Sequence, residues 1–206
     1  MSGGQNVDES KRATLKRFAA LGAASPLARL VDSGRDTGDS DAREAIAGYL
    51  AATPGAHFSK IRDDLKLGTG ETQHHLRRLL EAGAVESRRD GDYKRFFPAN
   101  QFSDFEQVAL GYLRRDTPRG MLIALLRDPE ISASSLADSL DVSRPTVSKY
   151  AAELERAGVL SRADGYALEK PETLLTLLVR YANSFDEQAA AFAADAASLI
   201  RYDPKR

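Results

Sequence analysis

The chain has 206 residues, of which 42% are hydrophobic and 29% charged, and its net charge is −1. This balance is typical of a globular protein, and because there is no overall positive charge, any binding of nucleic acid must rest on local patches. Cysteine is absent, which excludes disulfides, thiolate metal sites and a cysteine nucleophile.

The first 40 residues are rich in Gly, Ser and Asp at both ends. We expect a mostly disordered tail with one short basic helix at about 10–22. The stretch 11–30 resembles a secretion signal in its basic start and Ala-rich middle, but Lys16, Arg17 and the short apolar run at 18–24 favour a basic arm or amphipathic helix. Since no run of about 18 apolar residues is present, we predict a cytoplasmic protein with no membrane segment.

An internal repeat follows the tail. A shift of 75 residues aligns 46–85 with 121–160 without a gap, and matched residues include Leu50 with Leu125, Pro54 with Pro129 and Gly83 with Gly158. The apolar positions between these matches also agree in kind, as Ile61 does with Leu136. The repeat therefore predicts two copies of one supersecondary unit, at 41–98 and 117–168.

Each copy is predicted to contain three helices and two short strands. The helices are expected at 42–52, 57–66 and 69–82 in the first copy, and at 117–127, 132–140 and 144–157 in the second. Gly83 and Gly158 end the third helices as residues able to adopt a positive φ. The strands are expected at 84–89 and 93–98, and at 159–162 and 166–168, with Asp-Gly in each turn. Helix, helix, turn, helix and hairpin is the pattern of a winged helix-turn-helix, so the fold class is mainly α with small β-wings (α+β).

Further helices are predicted outside the repeat. Residues 99–116 contain a linker helix at 102–114, and 169–206 contain helices at 171–181 and 186–201. The helix at 171–181 is apolar on more than one face, through Leu174, Leu175, Leu177, Leu178 and Val179. Either the second winged domain or a two-fold partner would cover it, and we predict a homodimer through 102–115 and 171–201. A small effector could lie between the linker helix and the C-terminal pair, although no residue set identifies one.

The third helix of each copy is the expected recognition helix, which enters the major groove of DNA by its N-terminal residues. In the second copy it begins SRPTVSKY, with Ser143 as N-cap and Val147, Ala151 and Leu154 on the buried face. The residues left to contact DNA are Ser143, Arg144, Thr146, Ser148 and Lys149. This motif, with the following ELERAGVLSR, resembles bacterial and archaeal winged-helix regulators of the ArsR/MarR type.

The first copy offers a different recognition helix. Its segment LGTGETQHHLRRLL resembles the corresponding stretch of archaeal winged-helix regulators. The excess of Asp over Glu and of Arg over Lys suggests a GC-rich genome and a salt-loving source, which together with this resemblance implies a haloarchaeal one. The predicted DNA-binding residues are Gln73, His74, Arg77 and Arg78. Glu71 departs from the pattern, because a carboxylate at an outward position repels phosphates, although it can accept a hydrogen bond from cytosine N4.

The wings also differ between the copies. Arg88, Arg89, Lys94 and Arg95 outnumber Asp90 and Asp92 in the first wing, whereas the second has only Arg162 against Asp164. We therefore predict that the first copy supplies much of the affinity for the DNA phosphate backbone and that the recognition helix of the second copy is better suited to reading bases.

The sequence offers no phosphate loop, no catalytic set in motif context and no metal-ligand cluster, so we predict neither an enzyme nor a cofactor. His57, His74 and His75 are interpreted as one helix-start residue and two surface residues. Taken together, the patterns predict a sequence-specific regulator that binds double-stranded DNA. The alternative is a tandem winged-helix adaptor that binds protein, since fold alone does not fix function. An adaptor would be expected to expose apolar residues at 144–149.

Overall fold

The computed structural model describes residues 3–23, 37–163 and 165–196. The chain divides between Ser103 and Asp104 into two units, each of which combines helices with a small antiparallel sheet. The predicted α+β fold class is therefore confirmed.

The first unit contains four helices and a three-stranded sheet. Its elements are α1 (Gly3–Ala23), α2 (Thr37–Ala52), β1 (Ala56–His57), α3 (Phe58–Leu65), α4 (Thr69–Glu81), β2 (Val85–Asp90) and β3 (Tyr93–Pro98). The strands are ordered β1-β3-β2 and all pair antiparallel. Apolar residues three or four positions apart on the helices meet in one core, in which Ile46, Leu50, Ile61, Leu65 and Leu79 are almost completely buried.

The ends of these helices follow from local chemistry. Backbone N–H groups at the start of a helix need acceptors, and His57 Nδ1 accepts from the N–H of Lys60 at the start of α3 (3.4 Å). After α4 the chain leaves through Gly83, whose φ is 67°, and Gly158 takes φ 68° at the matching place in the second copy. The predicted role of these two glycines is confirmed.

The N-terminal helix α1 is longer than the segment predicted at 10–22, and it packs on the first unit. Leu15 is 9% exposed and joins the core, while the rings of Phe18 and Tyr49 lie 5.2 Å apart in an edge-on arrangement. Residues 3–23 thus differ from the predicted disordered tail, because α1 buries apolar side chains against α2. Residues 24–36 of that tail lie outside the described part of the chain.

The second unit contains six helices and a two-stranded sheet within its described residues. Its elements are α5 (Asp104–Leu113), α6 (Asp116–Arg127), α7 (Ala133–Ser139), α8 (Arg144–Arg156), β4 (Leu160–Ser161), β5 (Ala167–Leu168), α9 (Pro171–Tyr181) and α10 (Glu187–Asp195), with a 3₁₀ turn at Ala182–Ser184 before α10. The segment predicted as a linker helix is α5, and it belongs to this unit.

The C-terminal helices complete the core of the second unit. Leu174 and Leu178 of α9, Phe192 of α10 and Leu110 of α5 are completely buried. Arg119 of α6 is 3% exposed and its guanidinium binds the carboxylate of Asp186, which also caps α10 by accepting from Ala189 N–H (2.8 Å). Most of the apolar surface that suggested a two-fold partner is therefore covered within the unit, and Val179 is the large apolar residue of α9 left exposed.

None of the helices in the described residues is long and apolar enough to cross a membrane.

Candidate nucleic-acid interface

The start of α8 is a capped helix end that presents polar side chains to solvent. Ser143 takes an extended conformation and its Oγ accepts from the N–H of Thr146 (3.3 Å), while the two hydroxyl oxygens lie 2.8 Å apart. Pro145 occupies the first turn, where a missing N–H costs nothing. Ser143 and Thr146, two of the residues predicted to contact DNA, thus bind each other and organise the start of the helix.

The opposite faces of α8 have opposite chemistry. Val147, Ala151 and Leu154 are completely buried, and they fix the orientation of the helix. Arg144, Ser148 and Lys149 are exposed on the other side. The structure therefore brings these three of the five predicted residues to one outward surface, while Ser143 and Thr146 hold that surface in place.

The face of α4 is organised in the same way. Thr72, His75, Leu76 and Leu79 are buried, whereas the four predicted residues are exposed: Gln73, His74, Arg77 and Arg78. The interpretation of His75 as a surface residue is wrong, because it is 3% exposed on the core side of the helix. Two histidines that follow each other in a helix point about 100° apart, so one can be inside while the other is outside.

Glu71 lies in the first turn of α4 and is held by two partners. Its Oε2 accepts from the N–H of Gly68 (3.1 Å), as a carboxylate in the third helical position commonly does, and it forms an ion pair with Lys11 of α1 (3.0 Å). Burial acts to raise the pKa of Glu71, but the hydrogen bonds from Gly68 and Lys11 outweigh it and lower the pKa below its usual value. The carboxylate is therefore ionised at neutral pH and engaged within the protein.

The first wing is the β2–β3 hairpin, which turns at Gly91 and Asp92. Gly91 has φ 58°, a conformation that glycine adopts without strain in a two-residue hairpin loop. Register places Arg89 directly opposite Lys94 and Arg88 directly opposite Arg95. Side chains directly opposite share a face of the sheet, and like charges in such pairs destabilise it. A bound anion would relieve the repulsion between Arg89 and Lys94, which are both exposed.

Arg95 differs from the other predicted wing residues, because it is buried inside the hairpin and only 3% exposed. Its Nε donates to Asp90 and its Nη1 to the carbonyl oxygen of Gly55 (3.0 Å). Arg95 therefore joins β3 to the turn before β1 and does not face outward. Of the other three cations, Arg89 and Lys94 are exposed, while Arg88 shares the face of Arg95 and is half-buried.

The second wing contributes less positive charge. Arg162 Nη2 lies 2.6 Å from Glu155 Oε2, and this ion pair links the wing to the end of α8. Its strands have two residues each, compared with six in β2 and β3. Asp164 lies outside the described residues.

A cavity of about 590 Å³ opens beside the second wing. In the first copy, β1 at 56–57 pairs with β3 and closes the sheet, whereas the matching residues 131–132 form no strand in the second copy. The cavity lies where that third strand would be, and apolar side chains form much of its lining, among them Leu125, Ile131, Leu168 and Pro171. This cavity is not at the effector site suggested by the sequence, which was expected between the linker helix and the two C-terminal helices.

No group of three or more His, Asp or Glu residues in the described part of the chain is arranged to hold a metal ion. His57 lies at the start of α3 and its ring centroid is 4.9 Å from that of Tyr93, at the edge of the first wing.

In both units two short helices are joined by a tight turn, and a β-hairpin follows the second of them. This order, with the outward faces of α4 and α8 and their wings, defines a tandem winged helix-turn-helix protein.

Two family models match the chain, one for each copy. A model described as an N-terminal HTH domain matches residues 40–110, and a model described as winged helix-turn-helix DNA-binding matches residues 114–161. An uncharacterised HTH-type transcriptional regulator of the archaeon Methanocaldococcus jannaschii is 27% identical over 127 residues, or 61% of this chain. The chain covers 32% of that protein. No solved structure matches the chain. The resemblance to archaeal winged-helix regulators is therefore confirmed.

Proposed function

We propose that this chain is a sequence-specific transcriptional regulator that binds double-stranded DNA through both winged helix-turn-helix units. The observation that carries this proposal is the outward surface of α8, where Arg144, Ser148 and Lys149 are exposed while Val147 is completely buried. Arg and Lys at the start of a helix in the major groove can bind guanine edges or phosphates.

The two units have different roles in this proposal. The cations of the first wing lie on a hairpin of two six-residue strands, and Arg77 and Arg78 add charge on α4 of the same unit. Such contacts supply affinity that does not depend on sequence. In the second unit the wing cation is paired with Glu155, which leaves base recognition by α8 as its main contribution.

Genome-wide occupancy of the tagged protein tests this function. The wild type is expected to give discrete peaks, and Arg144→Gln/Lys149→Gln is expected to lose most of them because two long outward cations are removed. A matched control is Arg127→Gln/Lys170→Gln, which removes the same charge from exposed positions outside the recognition helices and the predicted dimer interface. Equal loss in both variants would indicate a general charge effect and contradict base reading by α8.

A protein-binding adaptor is the competing outcome of the same experiment. The start of α8 exposes polar residues and Pro145, and the large apolar residues exposed in the described part of the chain are Tyr93 and Val179. This surface favours DNA over an apolar protein partner. A wild type without peaks, together with a protein that co-purifies at fixed stoichiometry, would support the adaptor.

The homodimer, the cytoplasmic location and the small-molecule effector are parts of the same proposal. Dimers of such regulators bind half-sites about one helical turn apart, and the exposed Val179 of α9 would lie in the predicted interface. Light scattering at micromolar concentration tests the dimer, and a monomer mass would contradict it. An effector would fit the cavity beside the second wing, whose volume lies in the range of ligand sites.

A further inference from the structure

A side chain of the N-terminal helix α1 reaches the recognition helix of the first unit. Lys11 Nζ lies 3.0 Å from Oε2 and 3.3 Å from Oε1 of Glu71, and both side chains are about one third exposed. The two residues are 60 positions apart in sequence. The contact is therefore made by the packing of α1 on the unit, which Leu15 and Phe18 provide.

Glu71 lies at the edge of the surface that would face DNA. Residues three or four positions apart share one side of a helix, so Glu71 is on the side of the exposed His74 and, one turn further, Arg78. A carboxylate at this place would repel the phosphates that flank the major groove. Because Lys11 binds both of its oxygens, the pair presents no net charge there.

The exposed side of α1 carries three more cations. Arg12, Lys16 and Arg17 are exposed, while Leu15 between them is buried. They lie within about 9 Å of Lys11 along the helix axis at 1.5 Å per residue. Long side chains at these positions are suited to phosphate contacts beside the groove that α4 would enter.

We propose that α1 is part of the DNA-binding surface of the first unit, where Lys11 neutralises Glu71 and the exposed cations of α1 contact the phosphate backbone. This inference rests on the proposed binding of duplex DNA. It assigns to Lys11 a positioning role, since it acts by removing the repulsion of Glu71. An ion pair that served folding alone would affect stability and leave affinity for DNA unchanged.

A double-mutant cycle on the full chain tests the proposal. Affinity is measured by fluorescence anisotropy with a labelled mixed-sequence duplex of about 30 base pairs, from about 50 to about 200 mM salt. Lys11→Gln leaves Glu71 unpaired, and we expect binding about fivefold weaker or more. In Lys11→Gln/Glu71→Gln we expect affinity within about twofold of the wild type, because no uncompensated carboxylate remains. Glutamine at 71 keeps an acceptor for the Gly68 N–H.

Arg12→Gln is the matched control, since it removes the same charge from the neighbouring exposed position. It is expected to weaken binding and to lower the salt slope by about 0.9, as expected for the loss of one phosphate contact. Glu71→Gln should not restore this loss, because Arg12 does not act through Glu71. Lys11→Arg keeps the charge and should bind like the wild type. Circular dichroism establishes that each variant is folded, as expected for a partly exposed ion pair worth at most about 1 kcal/mol.

Three results would overturn the proposal. Unchanged affinity in Lys11→Gln would show that the pair serves folding alone. Tighter binding in Lys11→Gln would show that α1 restrains the recognition helix. A loss that Glu71→Gln fails to restore would show that Lys11 contacts DNA itself. Failure of the proposed function is distinguishable, because the wild type would then show no affinity for the duplex.

Discussion

The first wing gives the sharpest quantitative expectation. The variant Arg88→Gln/Arg89→Gln/Lys94→Gln removes three cations and keeps a polar side chain at each position, while Arg95 and its partner Asp90 remain to hold the hairpin. If each cation neutralises one phosphate, the slope of log K against log salt falls by about 2.7, at 0.9 per contact. Over a fourfold rise in salt, the wild type should then lose about 40-fold more affinity than the variant.

The assay is anisotropy with a labelled duplex at about 50 and about 200 mM salt. The control Lys60→Gln/Arg127→Gln/Lys170→Gln changes net charge equally at exposed positions outside the recognition helices, the wings and the predicted dimer interface. Without DNA, Arg89→Gln/Lys94→Gln should be as stable as the wild type or more so, because Arg89 lies directly opposite Lys94. If the wing variant kept the salt slope of the wild type, the proposal that the wing contacts the DNA phosphate backbone would be refuted.

Two further predictions concern stability. The pKa of His57 is lowered in the folded protein by burial and by the positive charges of neighbouring residues. As pH falls below about 6.5, the unfolded chain therefore takes up a proton before the folded protein does. The stability of the first unit should decline from about pH 7 down to the lower pKa of the folded state. In thermal melts, the loss of stability at low pH should be smaller in His57→Gln than in the wild type. In the exposed control His74→Gln it should be the same as in the wild type. Asp186→Ala should destabilise the second unit by about 2 kcal/mol, because it removes the N-cap of α10 and one carboxylate from the buried guanidinium of Arg119, which keeps Asp116. Asp195→Ala, an exposed control, should cost at most about 1 kcal/mol in chemical denaturation, and equal losses would contradict the role of the Arg119–Asp186 pair.

Local patterns were sufficient to predict the winged helix-turn-helix architecture. Helical spacing of apolar residues located α3, α4, α7 and α8, since such spacing places one face in the core whatever the partner is. Glycine at 83 and 158 and Asp-Gly at 90–91 marked helix ends and a turn, because these conformations depend on single residues. The gap-free repeat established that the unit occurs twice.

The roles of individual charged residues were decided by contacts between distant parts of the chain. Residue type alone placed Arg95 with the wing cations, but Gly55 and Asp90 hold it in the interior. The capping role of Glu71 has a local signal, because it is a carboxylate three residues after the N-cap residue Gly68. Its pairing with Lys11 has no local signal.

The sequence by itself determined two copies of a helix-turn-helix with a hairpin and the outward polar start of α8. These features follow from periodicity, caps and turns, which act over a few residues. Tertiary packing decided that α9 and α10 fill the core of the second unit and that α1 packs on the first, beside its recognition helix. Burial and ion pairing depend on which surfaces meet, and that is fixed by the fold as a whole.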